Sequence, residues 1–188
     1  AREGPRAFRS ALAKYGVMFP DGWTWPKVYD AGDVLPATGD TVQALQETHA
    51  RVTAAVKALC GLGLFPIGIG GGHDLTFAFV RGVIEHARES GTAPARGLYF
   101  DAHLDVRAEV GSGMPMRALV EQCAVTQLEI RGFSSLVNAK EHVESFLSRG
   151  GIMAGRPAQP ARAAGRYFAS FDLDVLDASQ APGVSALN

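Results

Sequence analysis

Cysteine is scarce in this sequence: Cys60 and Cys123 stand in unrelated contexts, without CxxC spacing. This excludes a disulfide-built scaffold and a thiolate zinc site, and leaves two reduced, buried thiols as the expectation. An excess of charge of one sign is also missing. Lys and Arg number 18 against 19 Asp and Glu, a net charge of -1, so no broad field draws nucleic acid or an anionic membrane. A small ligand is the expected partner, with neither nucleic acid nor membrane. Long apolar runs are absent too. The longest, residues 59–70, is broken by glycines and Pro66 and is too short to span a bilayer. Residues 1–10 hold Arg2, Arg6 and Arg9 and no apolar core of a secretory signal, which makes the cytoplasm the expected location.

What is present is a chain of 188 residues, 47% hydrophobic and 20% charged. That suits one packed domain over residues 1–188. In residues 41–60, Val42, Leu45, Val52, Val56 and Leu59 recur on one helical face. Gly61 and Gly63 end that helix, and the apolar residues 64–69 read as a short buried strand running into Gly70, Gly71 and Gly72. Asp74 is placed to cap a helix through residue 89. Strands are expected at 97–100, 128–133 and 167–173, with a helix at 139–148. Residues 19–40 and 154–165, rich in proline and glycine, read as irregular connections. Alternating helices and strands imply an α/β fold, a three-layer α-β-α arrangement around a mostly parallel sheet. Ligands of such sheets bind beyond the carboxyl ends of the strands.

Three clusters of acid and imidazole fall where those strands end: residues 70–74 with His73 and Asp74; Asp101, His103 and Asp105; and Asp172, Asp174 and Asp177. Carboxylates gathered in a partly desolvated place repel one another by several kcal/mol unless a cation compensates them. Mixed oxygen and imidazole donors favour manganese or another first-row metal over calcium or structural zinc. In an extended segment residues two apart point the same way, so Asp101, His103 and Asp105 can share one site while Ala102 and Leu104 face the packing side. His49, His86 and His142 lie in predicted helices among charged neighbours and are expected on the surface.

The same segments resemble the signature blocks of the arginase, agmatinase and formimidoylglutamase superfamily: Gly71-Gly72-His73-Asp74, Asp101 to Asp105, and Ser170-Phe171-Asp172-Leu173-Asp174-Val175-Leu176-Asp177 followed by Ala181-Pro182-Gly183. The start, Gly4-Pro5-Arg6-Ala7-Phe8-Arg9, is similar to that family's early segment. Within it, Val106-Arg107, Ser112 to Arg117 and Gly132-Phe133-Ser134-Ser135 look most like formimidoylglutamase. The resemblance implies an arginase-like fold and two Mn(2+). One ion would take His73, Asp101, Asp105 and Asp172; the other would take Asp101, His103, Asp172 and Asp174, with Asp101 and Asp172 bridging. Two cations flanking one water would acidify it for attack on an amidine carbon, with Asp105 and His103 in catalytic roles. Ser112, Arg117 and Asn138 are candidates to hold the substrate carboxylates.

By the same resemblance the substrate is N-formimidoyl-L-glutamate, an intermediate of histidine degradation, and the products are L-glutamate and formamide. A guanidino hydrolase of agmatinase or arginase type, or a catalytically silent metal-binding fragment, is the alternative. A homo-oligomer is also expected. Residue 178 is Ala where relatives commonly have Pro. Relatives continue beyond residue 188 and carry a strand before the early segment, so the fold is expected to be incomplete at both ends.

Overall fold

The structure is a computed structural model that describes residues 3–14, 26–88, 90–94, 96–153 and 166–184. Helix α1 (Gly4–Leu12) opens the chain, with Pro5 in its first turn where the missing N–H costs nothing. Residues 26–40 lack regular structure, as expected; residues 19–25 and the predicted connection 154–165 lie outside the described residues. Arg9 ties α1 to this segment through Asp30 at 2.7 Å and Asp33 at 2.8 Å.

Helix α2 (Val42–Gly61) begins at Thr41, whose Oγ1 accepts from the N–H of Ala44 at 3.1 Å. It packs along α3 (Leu75–Ala87). Gly82 permits the close approach, because a Cβ there would meet the carbonyl of Thr53 and the side chain of Val56. Across the same seam Thr53 Oγ1 donates to the carbonyl of Ala78 at 2.9 Å.

The sheet has four parallel strands in the order β3-β2-β1-β4. They are β1 (Arg96–Phe100), β2 (Gln127–Arg131), β3 (Gly151–Met153) and β4 (Tyr167–Phe171). Helices α4 (Pro115–Cys123) and α5 (Lys140–Ser148) connect β1 to β2 and β2 to β3. Both steps run the same way across the sheet, so right-handed crossovers put both helices on one face. Gly97, Leu128 and Phe168 lie abreast on that face, as do Tyr99, Ile130 and Ser170. Phe77, Val80, Ile84, Met116, Leu119 and Phe146 close the core over them. Gly97 is glycine for a reason: the Phe168 ring occupies the space a Cβ would need.

The expected α/β class, parallel sheet and helices are present. Helices α1 and α4 and strand β3 were not anticipated. The expected strand at 64–69 is absent: the segment pairs with no described strand, and Phe65 and Ile67 are 89% and 77% exposed rather than buried. An apolar run becomes a strand only where a neighbour supplies the ladder, and among the described residues none does. Cys123 is buried and Cys60 half-buried; both are free thiols whose pKa burial pushes up. No helix among the described residues is long and apolar enough to cross a membrane.

Candidate metal centre

From β1 the chain steps outward to β2 and β3, then returns to place β4 on the other side of β1. This reversal opens a crevice at the carboxyl ends of β1 and β4. Asp101 follows β1 directly and Asp172 follows β4 directly. Their register is held by Asp101 N–H to the Arg131 carbonyl at 3.0 Å and Asp172 N–H to the Phe100 carbonyl at 2.9 Å.

The second acidic segment is not extended. Asp101 Oδ1 accepts from the N–H of His103 at 2.6 Å, making a tight side-chain-closed turn. Asp105 then takes a left-handed conformation with φ 48°, which Asp tolerates better than most residues. Ala102 and Leu104 are buried as expected, but this turn and the Asp105 conformation aim the ligands, not strand alternation. After β4, Asp172 Oδ1 accepts from the N–H of Asp174 at 3.1 Å and starts a short 3-10 turn, Leu173–Val175. Gly132, with φ 92°, lets the loop after β2 pass beneath Val175, where a Cβ would collide with its side chain.

The six residues meet. His73 Nδ1 lies 2.9 Å from Asp101 Oδ2, 2.7 Å from Asp105 Oδ2 and 3.4 Å from Asp172 Oδ2. His103 Nδ1 lies 3.0 Å from Asp174 Oδ2 and 3.6 Å from Asp101 Oδ1. Two sets of donor atoms result, His73 with Asp101 and Asp172, and Asp101 with His103 and Asp174, each within 4.8 Å. Asp101 belongs to both sets, so its two oxygens face two neighbouring positions.

The donors fit cations better than they fit each other. One imidazole N–H cannot satisfy three carboxylate oxygens, and Asp101 Oδ2, fully buried, accepts no hydrogen bond. His73 Nε2 lies 3.0 Å from Ser170 Oγ, which lies 2.9 Å from Thr76 Oγ1. If Nε2 carries the proton and donates to Ser170, Nδ1 offers its lone pair to the acidic side. Without a cation the charges compensate imperfectly. Burial would push the His73 imidazole down, but Asp101 and Asp105 outweigh it and raise it to about 10. Burial raises the Asp101 carboxyl, Asp105 adding to it and His73 opposing. Burial, then Asp101 and Asp172, push Asp174 up to about 6. A divalent pair would replace those protons.

The substrate candidates fare differently. Asn138 Nδ2 donates to the carbonyls of Ala102 and Ser134, both at 2.8 Å, and Oδ1 accepts from the N–H of Leu104 at 2.9 Å. Its amide fastens the second ligand loop, and both of its N–H groups are taken up by those carbonyls. Arg117 sits in α4 with Nε 2.8 Å from Glu121 Oε1, which Arg149 also approaches. Its Nε is therefore engaged along its own helix. Ser112 is exposed at the tip of the turn before α4.

Two helix assignments change as well. His49 is buried, 3% exposed, not a surface residue, and its Nε2 lies 2.7 Å from Asp74 Oδ2. Asp74 makes no side-chain cap to α3. The signal was present in the sequence, since His49 stands four residues after Leu45 and three before Val52 on the apolar face. Ser170 was legible in the same way, as a polar residue two positions from Phe168 on the inward face of β4. His86 is exposed and His142 half-buried.

A profile of the arginase family matches residues 1–188. The chain belongs to the arginase family. It is 32% identical over 208 residues to the formimidoylglutamase of Ralstonia nicotianae, covering 99% of this chain and 61% of that protein. Against the formimidoylglutamase of Aromatoleum aromaticum it is 33% identical over 211 residues, covering 99% and 60%. The crystal structure of Trypanosoma cruzi formiminoglutamase with Mn2+2 matches with a TM-score of 0.79 and 27% identity, over 100% of this chain and 67% of that one. Bacillus subtilis formimidoylglutamase shares the fold, with a TM-score of 0.84 at 22% identity over 100% of this chain and 64% of that one. This arginase-family chain spans about three fifths of the length of those curated relatives.

Proposed function

We propose that this chain supplies the metal-holding part of a binuclear manganese hydrolase that cleaves a C–N bond of a linear amidine, N-formimidoyl-L-glutamate, to L-glutamate and formamide. The observation that carries the reading is Asp101, buried and shared by two ligand sets drawn from three loops. In this reading His73, Asp101, Asp105 and Asp172 hold one Mn(2+), and Asp101, His103, Asp172 and Asp174 hold the other. When bound, such a pair supplies Lewis acidity and an acidified water beside a polarised amidine.

The chain's own residues do the rest. Ser170, 3.0 Å from Nε2 of His73, can accept its N–H and so leave Nδ1 free to ligate. Asp105, fixed by its backbone carbonyl's bond to the N–H of Met116 at 3.1 Å, stands at the rim where a proton passing to a departing amine could be held. Ala102 and Leu104, fully buried, floor the site with apolar atoms and keep bulk water from one side. Ser112, Arg117 and Asn138 are the candidates to meet a substrate carboxylate. A cytoplasmic location and assembly with further copies of the chain belong to the same proposal.

The test is a substrate panel with the manganese-loaded protein, scored for formamide, urea and ammonia. Formamide from formimidoylglutamate supports the reading. Urea from arginine or agmatine replaces it with a guanidino hydrolase, and two bound ions without turnover of any amidine make the chain a silent metal-binding scaffold.

A further inference from the structure

His49 is an imidazole buried in the middle of a helix, outside the acidic cluster, with one carboxylate as its partner. Burial of both His49 and Asp74 is costly unless each satisfies the other, which they do at 2.7 Å. Asp74 directly follows His73. Its carboxylate folds back over the glycine turn, where Oδ1 occupies the space a Cβ on Gly72 would need. The carbonyls of Gly72, His73 and Asp74 accept the first N–H groups of α3, at 3.2, 2.9 and 3.1 Å. The backbone of His73 is thus continuous with the helix start that Asp74 holds.

This loop needs such a hold more than the others do. Loops 101–105 and 172–174 leave strands that are paired in the sheet, whereas residues 64–70, largely exposed, enter the His73 turn without pairing to any strand among the described residues. Given the metal-centre reading above, we propose that His49 is a positioning residue: through Asp74 it fixes the turn 71–74 against α2 so that His73 is presented to the first cation at the correct distance. The Phe77 ring meets the His49 imidazole edge to face at 6.0 Å and holds it in orientation. The helix seam itself is secured elsewhere, by Thr53 to Ala78 and by the contact at Gly82, so loss of His49 acts on the turn rather than on the packing of α2 and α3.

The experiment is a manganese titration, followed by electron paramagnetic resonance and calorimetry, of the full chain and of His49→Ala, His49→Gln, Asp74→Asn and Thr53→Ala, with the melting temperature of each metal-free protein beside it. His49→Ala should weaken binding at one of the two positions about 10- to 100-fold, the effect typical of an outer partner of a metal ligand. His49→Gln, which keeps an N–H donor, should restore most of that affinity, and Asp74→Asn should weaken it less than His49→Ala. Thr53→Ala should lower the melting temperature without changing affinity. Equal manganese affinity in wild type, His49→Ala and Asp74→Asn overturns the proposal while leaving the metal centre standing. Absence of manganese binding in the wild type overturns both.

Discussion

The loops bearing His73 and bearing Asp101, His103 and Asp105 reach the same rim under different constraints. The second leaves a strand paired on both sides, and its first residue is still bonded to the neighbouring strand at Arg131. Asn138 then binds the carbonyl of its second residue, Ala102, and the N–H of its fourth, Leu104. The first follows a segment that pairs with no strand among the described residues, and it depends on side chains from two helices and on Ser170 from β4. A ligand set split this way teaches that half of the site is rigid by topology and half by individual polar contacts, which are separately removable.

The largest expected effect tests the shared member. Asp101→Ala should abolish binding of both ions, read as metal content after dialysis. The metal-free variant should change little in stability at neutral pH, because removing a buried, poorly compensated carboxyl offsets loss of the bond that closes the turn onto His103. Retention of one ion would show that the two sets are independent. Next, Asn138→Ala strips two hydrogen bonds from the second loop and one from Ser134, and should cost about 2–3 kcal/mol in denaturant unfolding. Gly132→Ala, at φ 92° and against Val175, should cost a similar ~2–3 kcal/mol. If Asn138→Ala cost far less, the second loop would be no stiffer than the first.

A smaller effect follows from protonation. In the metal-free protein His73 is raised from 6.5 to about 10, so its contribution to stability is complete below the ordinary value and is lost as pH climbs through about 10. Asp174 is raised from 3.8 to about 6, so its contribution is present below its ordinary value and is lost as pH rises through about 6. The metal-free melting temperature should therefore fall as pH is raised across this range, while manganese, which binds the deprotonated forms, should reverse the trend. A flat profile would mean that the cluster is not closed without metal. The smallest effect is at Arg117: with its guanidinium on Glu121, Arg117→Ala should leave manganese affinity unchanged and, if the proposed activity holds, alter KM less than Ser112→Ala does.

Much of this was legible from spacing alone. The period of Leu45, Val52 and Val56 fixed α2 to within a residue at each end, and the apolar runs before Asp101 and Asp172 located β1 and β4. The acidic clusters were found because each sits where such a run stops. Helix α4 was hidden, since Pro115 opens it and its short apolar face gives little period to read. Residues 64–69 misled because composition shows that a run can be a strand, not that a partner is available. His49 was misassigned, and the loop-fastening contacts of Asn138 were not foreseen, for one shared reason: a polar side chain takes its partners from what lies opposite it, 25 residues away for His49 and 34 to 36 away for Asn138.

Local order and donor chemistry were thus settled by the amino-acid sequence: which segments coil or extend, and which six side chains are able to ligate. The tertiary structure decided which donors converge, that Asp101 is common to two sets, that Asn138 binds the backbone of the second loop, and that His49 is buried against Asp74. Periodicity and chemistry are properties of neighbouring residues, whereas closure of a site depends on long-range packing and hydrogen bonds between elements far apart in the chain.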